Sequence, residues 1–151
     1  MKAVALAIAT VGGCGYFPFA PGTVGSAAGI VLYLLTRHAD PLTHVLILCL
    51  VCVIGTWASG VAARHFQRDD PGQVVVDEVA GQLATLLLLD VGLIGAVMGF
   101  FVFRAMDIVK PWPSNRLEAL PGGFGVMADD VMAGVYGWIV MAVLVYFVPW
   151  L

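Results

Sequence analysis

The chain has 151 residues, 61% of them hydrophobic and only 11% charged, with a net charge of -3 and a mean hydropathy of +0.98. A soluble domain carries about 25% charged residues, so this composition excludes an ordinary soluble fold and points to one integral-membrane domain. With no basic excess, nucleic acid is excluded as a partner as well.

Residues 1–12 are apolar but too short to cross, since a span takes about 20 residues. They are expected to lie at the interface or dip into it, and Met1 to Gly13 is read as mature protein rather than a leader. The stretch GGCGYFPFAPGTVGS follows, with Gly12, Gly13, Gly15, Gly22, Gly25, Pro18 and Pro21. It should stay irregular until about Thr23, the expected cap of the next helix. Such backbone survives at membrane depth only when protein or a watery cavity covers it, which makes it a candidate wall of a site. Residues 22–36 then read as an apolar helix with a small face at Gly25, Ser26, Ala27, Ala28 and Gly29, suited to close packing in lipid.

A polar turn at 37–41 leads to the clearest span, residues 42–63, without an acid or base. His44 is expected at its interfacial end, and Ser59 as a packing residue. Cys49 and Cys52 form a C-x-x-C inside an apolar run, where neither redox nor metal chemistry is favoured. Cys14 reads as structural. Residues 64–72 form the first strongly polar loop, closed by the turn signal Asp70-Pro71-Gly72.

Residues 78–103 would suit one long helix, but Asp90-Val91-Gly92 suggests a hairpin of two short ones. A half from 78 to 89 would reach only about 18 Å at 1.5 Å per residue and would need to sit deep in the bundle. The hairpin also sorts the charges. Lys2, Arg64, Arg68, Arg104, Lys110 and Arg116 then share one side, which the positive-inside rule makes cytoplasmic, leaving Arg37 opposite. A short helix at 104–110 ends before Pro111-Trp112-Pro113. The last span covers 126–148, with Trp138, Tyr146 and Trp150 as interface anchors. The expected fold class is therefore all-α, a polytopic helical membrane protein with about five membrane-embedded helices and a Gly/Pro-rich N-terminal loop.

Seven of the chain's seventeen charged residues fall between Arg104 and Gly134: Arg104, Asp107, Lys110, Arg116, Glu118, Asp129 and Asp130. With Asp77 and Glu78, the predicted topology gathers five acids (Asp77, Glu78, Asp107, Asp129 and Asp130) at the cytoplasmic ends of three helices. Carboxylates in membrane segments are costly and face a partner or an aqueous cavity. Five together repel unless a cation neutralises them, and Mg²⁺ suits oxygen ligands shared with a substrate phosphate. Calcium and manganese also suit these ligand types. Arg104 and Lys110, with Arg116 as a third candidate, would grip the phosphate. The loop Gly122-Gly123-Phe124-Gly125 could aim backbone N–H groups at an anion.

The stretches PFAPGTVGS (18–26), VVVDEVAGQ (74–82), FRAMDIVKPWP (103–113) and GGFGVMADDVMAG (122–134) together resemble the phosphatidylglycerophosphatase A family of bacterial membrane phosphatases. The resemblance implies Mg²⁺-dependent hydrolysis of phosphatidylglycerophosphate to phosphatidylglycerol and phosphate, in the bacterial cytoplasmic (inner) membrane with the site facing the cytoplasm. It carries the family's acids onto Asp77, Glu78, Asp107, Asp129 and Asp130, its basic pair onto Arg104 and Lys110, and its glycine-proline loop onto Pro21, Gly22 and Thr23. Asp129, Asp130, Asp107, Arg104 and Lys110 are the expected catalytic residues. Arg104, Lys110, Thr23, Gly122 and Gly123 are the expected substrate contacts. Direct attack by water and an acyl-phosphate on one Asp both remain open. The competing classes are a transporter or channel with an acidic cation site and a phosphatase for another lipid phosphate. Membrane lipids are expected partners in every case.

Overall fold

The computed structural model describes residues 1–117, 120–148 and 150–151; Glu118, part of the predicted charge cluster, lies outside the described residues. The described residues form helices without strands: α1 (Lys2–Ala9), a single 3-10 turn (Cys14–Tyr16), α2 (Pro21–Thr36), α3 (Pro41–Phe66), α4 (Val76–Thr85), α5 (Leu93–Val109), α6 (Ser114–Leu117) and α7 (Gly123–Phe147). Two of them, α3 and α7, are long and apolar enough to cross a membrane. At 1.5 Å per residue they reach roughly 39 and 37 Å, beyond the ~30 Å hydrocarbon core. About five membrane-embedded helices were expected; two reach spanning length, and the others are shorter: α2 has 16 residues, α5 has 17 and α4 has 10. The many exposed apolar side chains along α3 and α7, such as Leu50, Val53, Val143 and Phe147, suit contact with lipid and associate the chain with a membrane.

The 78–103 segment is broken, as expected, although the break starts at Leu86 rather than Asp90. Tyr33 of α2 closes that turn. Its hydroxyl donates to the Leu89 carbonyl and accepts the Val91 N–H at 2.9 Å. Trp138, expected as an interface anchor, donates Nε1 to the Leu87 carbonyl at 2.8 Å and so ties α7 to the same turn. Beyond it, α5 runs unbroken to Val109, so Arg104 and Asp107 belong to its last turns rather than to a separate short helix.

The start of α2 also differs from expectation. Its N-cap is Ala20 with φ 49°, Pro21 occupies the first turn, and Thr23 is already inside the helix and exposed. Proline suits that position because its missing N–H would be unpaired there anyway. Asp40 caps α3 by accepting the Thr43 N–H at 3.1 Å. These hydrogen bonds from Thr43 hold the Asp40 carboxyl below its ordinary range. His44, at the other side of that turn, meets the Thr36 carbonyl at 2.8 Å. Upstream, α1 runs along α3, and the 10–20 segment turns back so that the Ala9 carbonyl accepts the Val75 N–H at 2.9 Å.

The short helix α4 is the centre of the bundle, packed by α2, α3, α5 and α7. Of its ten residues, only Glu78 is not fully buried. Glycines make this possible. A Cβ at Gly25 of α2 would meet Val75 Cβ and its carbonyl at 2.8 Å, and one at Gly29 would meet Gln82 Cβ at 2.8 Å. On the opposite side, Gly81 faces Phe103 and the Asp130 carbonyl, while Gly134 and Gly137 of α7 lie on Gly81, Ala84 and Thr85. Ser59 is fully buried in α3, in keeping with a packing role. The three cysteines are free thiols.

Gly25→Val therefore forces α2 off α4. Overpacking of this kind costs about 1–3 kcal/mol, and the expected result is a lower unfolding temperature in detergent. Val31→Ala on an exposed position of α2 serves as the control and should leave it unchanged. An unchanged unfolding temperature for Gly25→Val would contradict the close helix contact.

Candidate active site

The polar residues converge on one pocket of about 380 Å³ lined by Ala20, Pro21 and Gly22 from the start of α2, Asp70 and Gly72 from the loop before α4, Asp77 and Glu78 of α4, Arg104, Asp107 and Lys110 from the end of α5, and Asp129 and Asp130 of α7. All five acids and both cations selected from sequence are thus brought together. They reach it from four chain segments because α2, α5 and α7 each pack on α4 at its N-terminal end.

Within the pocket the acids divide. Carboxylate oxygens of Asp77, Glu78 and Asp130 lie within 4.8 Å of one another, the one such grouping among the described residues. The other two acids hold the cations. Arg104 Nη1 is 3.0 Å from Asp107 Oδ2, three residues on in the same helix, and 4.0 Å from Glu78 Oε1. Lys110 has left the helix with φ 44°, and its Nζ reaches Asp129 Oδ2 at 2.9 Å. Its placement thus follows from the end of α5 rather than from helical spacing. Ser114 of α6 donates to the Asp129 carbonyl at 3.1 Å and braces the first turns of α7.

Asp77 and Asp130 are 6% and 5% exposed. Three carboxyl groups this close and this far from water repel one another strongly, and a proton or a cation must relieve that repulsion. Asp77 partly satisfies itself by accepting the Glu78 N–H at 3.1 Å. Glu78 Oε2 is buried without a hydrogen-bond partner. An orphaned acceptor beside two further carboxylates fits a hard divalent cation with oxygen ligands, so the residues present suit Mg²⁺.

Three expected substrate contacts fall elsewhere. Thr23 points away as an exposed residue and does not line the pocket, although its neighbours Pro21 and Gly22 do. Gly123 is buried against α3, where a Cβ would strike the Thr56 carbonyl and meet the Gly60 nitrogen at 2.7 Å. Gly122 precedes it with φ 65°. Gly123 sets the crossing of α7 on α3, and neither glycine lines the pocket. Arg116 is exposed and does not line it either. Sequence reasoning passed over Asp70, taken only as part of a turn. Its signal was an acid seven residues before Asp77 in a loop that runs straight into α4.

An all-helical, membrane-associated protein with clustered carboxylates facing an arginine and a lysine belongs among the enzymes that handle phosphate at a membrane surface. The comparison with known proteins is more specific. The chain belongs to the phosphatidylglycerophosphatase A family, whose model matches residues 7–145, and it is on that ground a phosphatase. It is 34% identical to phosphatidylglycerophosphatase A of Escherichia coli over 90% of this chain and 78% of that protein. The corresponding Haemophilus influenzae protein is 32% identical over 89% and 84% of the two chains. A Bacteroides thetaiotaomicron protein named "Putative phosphatidylinositol-3-phosphatase" is 37% identical over 90% of each chain. No solved structure matches the chain.

Gly22 gives a direct test of the geometry. A Cβ there would collide with the Glu78 carboxylate and lie 3.2 Å from Arg104 Nη1. Displacing catalytic groups by about 1 Å can cost ~100-fold in rate. Gly22→Ala is expected to fold, with activity reduced on that order in a phosphate-release assay. Wild-type activity in Gly22→Ala would remove Glu78 and Arg104 from the working site.

Proposed function

We propose that the protein hydrolyses phosphatidylglycerophosphate to phosphatidylglycerol and inorganic phosphate, using Mg²⁺ held by Asp77, Glu78 and Asp130. The observation that carries this reading is the make-up of the pocket: three converging carboxylates stand beside two cations, each paired with a further acid. Bound there, Mg²⁺ supplies charge neutralisation and Lewis acidity.

The chain's own residues do the rest. Arg104 and Lys110 neutralise the phosphoryl oxygens as negative charge shifts to them, Arg104 through its planar fork and Lys110 as a point charge. Asp107 and Asp129 keep both cations directed into the pocket. A pocket carboxylate accepts one proton as a water oxygen attacks phosphorus in line. The bond from phosphorus to the glycerol oxygen breaks, and that oxygen leaves as the alcohol after taking up a proton. Gly22 leaves the space that lets the start of α2 close over Glu78.

The site faces the cytoplasm of a multi-pass inner-membrane protein in this reading. Charge placement supports it. Lys2 and Arg64 line one cavity and Arg104 and Lys110 line the acidic pocket. Arg37 sits with Asp90 and the start of α3, and the α2–α3 turn lies at the opposite end of α2 from the pocket. A cationic excess at one end is the cytoplasmic signature.

Phosphate release by the purified protein in detergent is the test. Release from phosphatidylglycerophosphate should require Mg²⁺ and fall at least ~100-fold in Asp130→Asn, as expected for loss of a group that positions the reaction. Release in the presence of a chelator would exclude the metal route. Release from phosphatidylinositol 3-phosphate but not from phosphatidylglycerophosphate would favour the activity named for the Bacteroides relative. No release from either lipid by folded protein would remove the reading altogether.

A further inference from the structure

Gln82 is the largest polar side chain buried completely, and neither its Oε1 nor its Nε2 has a hydrogen-bond partner. An unpaired amide in an apolar interior is costly and is kept only when something repays it. It lies on α4 four residues after Glu78, on the same face of the helix. The glycines of α2 track this pair turn by turn: a Cβ at Gly25 would lie 3.3 Å from Glu78 Cβ, and one at Gly29 would lie 2.8 Å from Gln82 Cβ. From α5, a Cβ at Gly99 would lie 3.7 Å from Gln82 Nε2.

The seam between α2, α4 and α5 thus contains Gln82 below and Glu78 above. Glu78 Oε2 and Arg104 Nη1 are also buried without hydrogen-bond partners. The Arg104–Asp107 contact at 3.0 Å is a charge pair whose Nη1 is not aligned as a donor. The Gln82 amide carries N–H donors, and Glu78 Oε2, one helical turn away, is an acceptor without a partner. Nothing else about this fully buried position asks for an amide, and a Leu or Met would pack there without penalty.

We propose that Gln82 is a positioning residue for the catalytic site: its Nε2–H donates to Glu78 Oε2 in the metal-loaded protein and fixes the carboxylate in the orientation that metal binding uses. The inference rests on the magnesium reading above. A hydrogen-bonded partner behind a metal-ligating carboxylate is worth about 10–100-fold in metal affinity. Gln82→Met removes the hydrogen bond at nearly constant volume, so stability without metal should be kept or raised.

The test measures the rise in unfolding temperature of the purified protein in detergent as Mg²⁺ is added, alongside phosphate release. In Gln82→Met the metal-free unfolding temperature should hold or increase, while half-maximal stabilisation and half-maximal activity both need about 10–100-fold more Mg²⁺. Gln82→Asn keeps the amide but shortens its reach, and the same weakening is expected there. It supplies the measurement where Gln82→Met does not fold. A wild-type Mg²⁺ dependence in either folded variant would overturn the positioning role while leaving the phosphatase reading intact. A wild-type protein whose unfolding temperature ignores Mg²⁺ would instead remove the magnesium reading, and this inference with it.

Discussion

The structure depends on the close approach of α2 and α7 to α4. Lipid tails are as apolar as a leucine side chain, so helices in a bilayer gain little from hydrophobic burial against one another and associate by packing. A helix of ten residues has too little length to anchor itself by spanning. Gly25 and Gly29 on one side and Gly134 and Gly137 on the other let neighbouring backbones reach α4 where any Cβ would intrude. That contact surrounds Asp77, Gln82 and Thr85 with protein, as polar groups in a membrane protein require.

The same packing solves an electrostatic problem. Two cations placed beside five carboxylates would, if free, collapse onto the three that converge. Each is paired with an acid outside that group, and Arg104 lies 4.0 Å from Glu78 as well. Asp107 shares a face of α5 with Arg104, and Asp129 precedes Asp130 on α7 so that the two adjacent acids diverge toward different partners. Adjacent carboxylates repel one another. Here their divergence by about 100° round the helix gives one to the lysine and one to the carboxylate group.

Much of this was legible in the sequence, and the limits have physical causes. Sparse charge in an apolar chain makes each polar cluster conspicuous, so the five acids with Arg104 and Lys110 could be read directly. Their partition could not, because it depends on where α5 ends and on the left-handed turn at Lys110. The lengths of α2, α4 and α5 were less legible, because they are set by Ala20, the Tyr33-closed turn and Lys110. The Gly122-Gly123 pair was read as an anion loop because glycine at a helix start suits both close packing and phosphate binding. Only the contact with Thr56 and Gly60 separates them. Gln82 was hidden for a related reason, since one amide in an apolar run carries no charge to draw notice.

A lipid phosphate poses a last constraint, because its headgroup and its tails require different solvents within a few ångströms. The edge of the pocket combines both. Ile108 lines it together with Arg104, Asp107 and Lys110, yet 74% of Ile108 is exposed. Next to the opposite wall at Ala20, Phe19 is 78% exposed. An apolar rim around a charged floor would be a liability in a water-soluble phosphatase. In a membrane-associated protein it suits a substrate with a charged headgroup and apolar tails. Ile108, Arg104 and Lys110 come from the same end of α5, so the registration of apolar and charged groups there is fixed by the packing of α5 on α4.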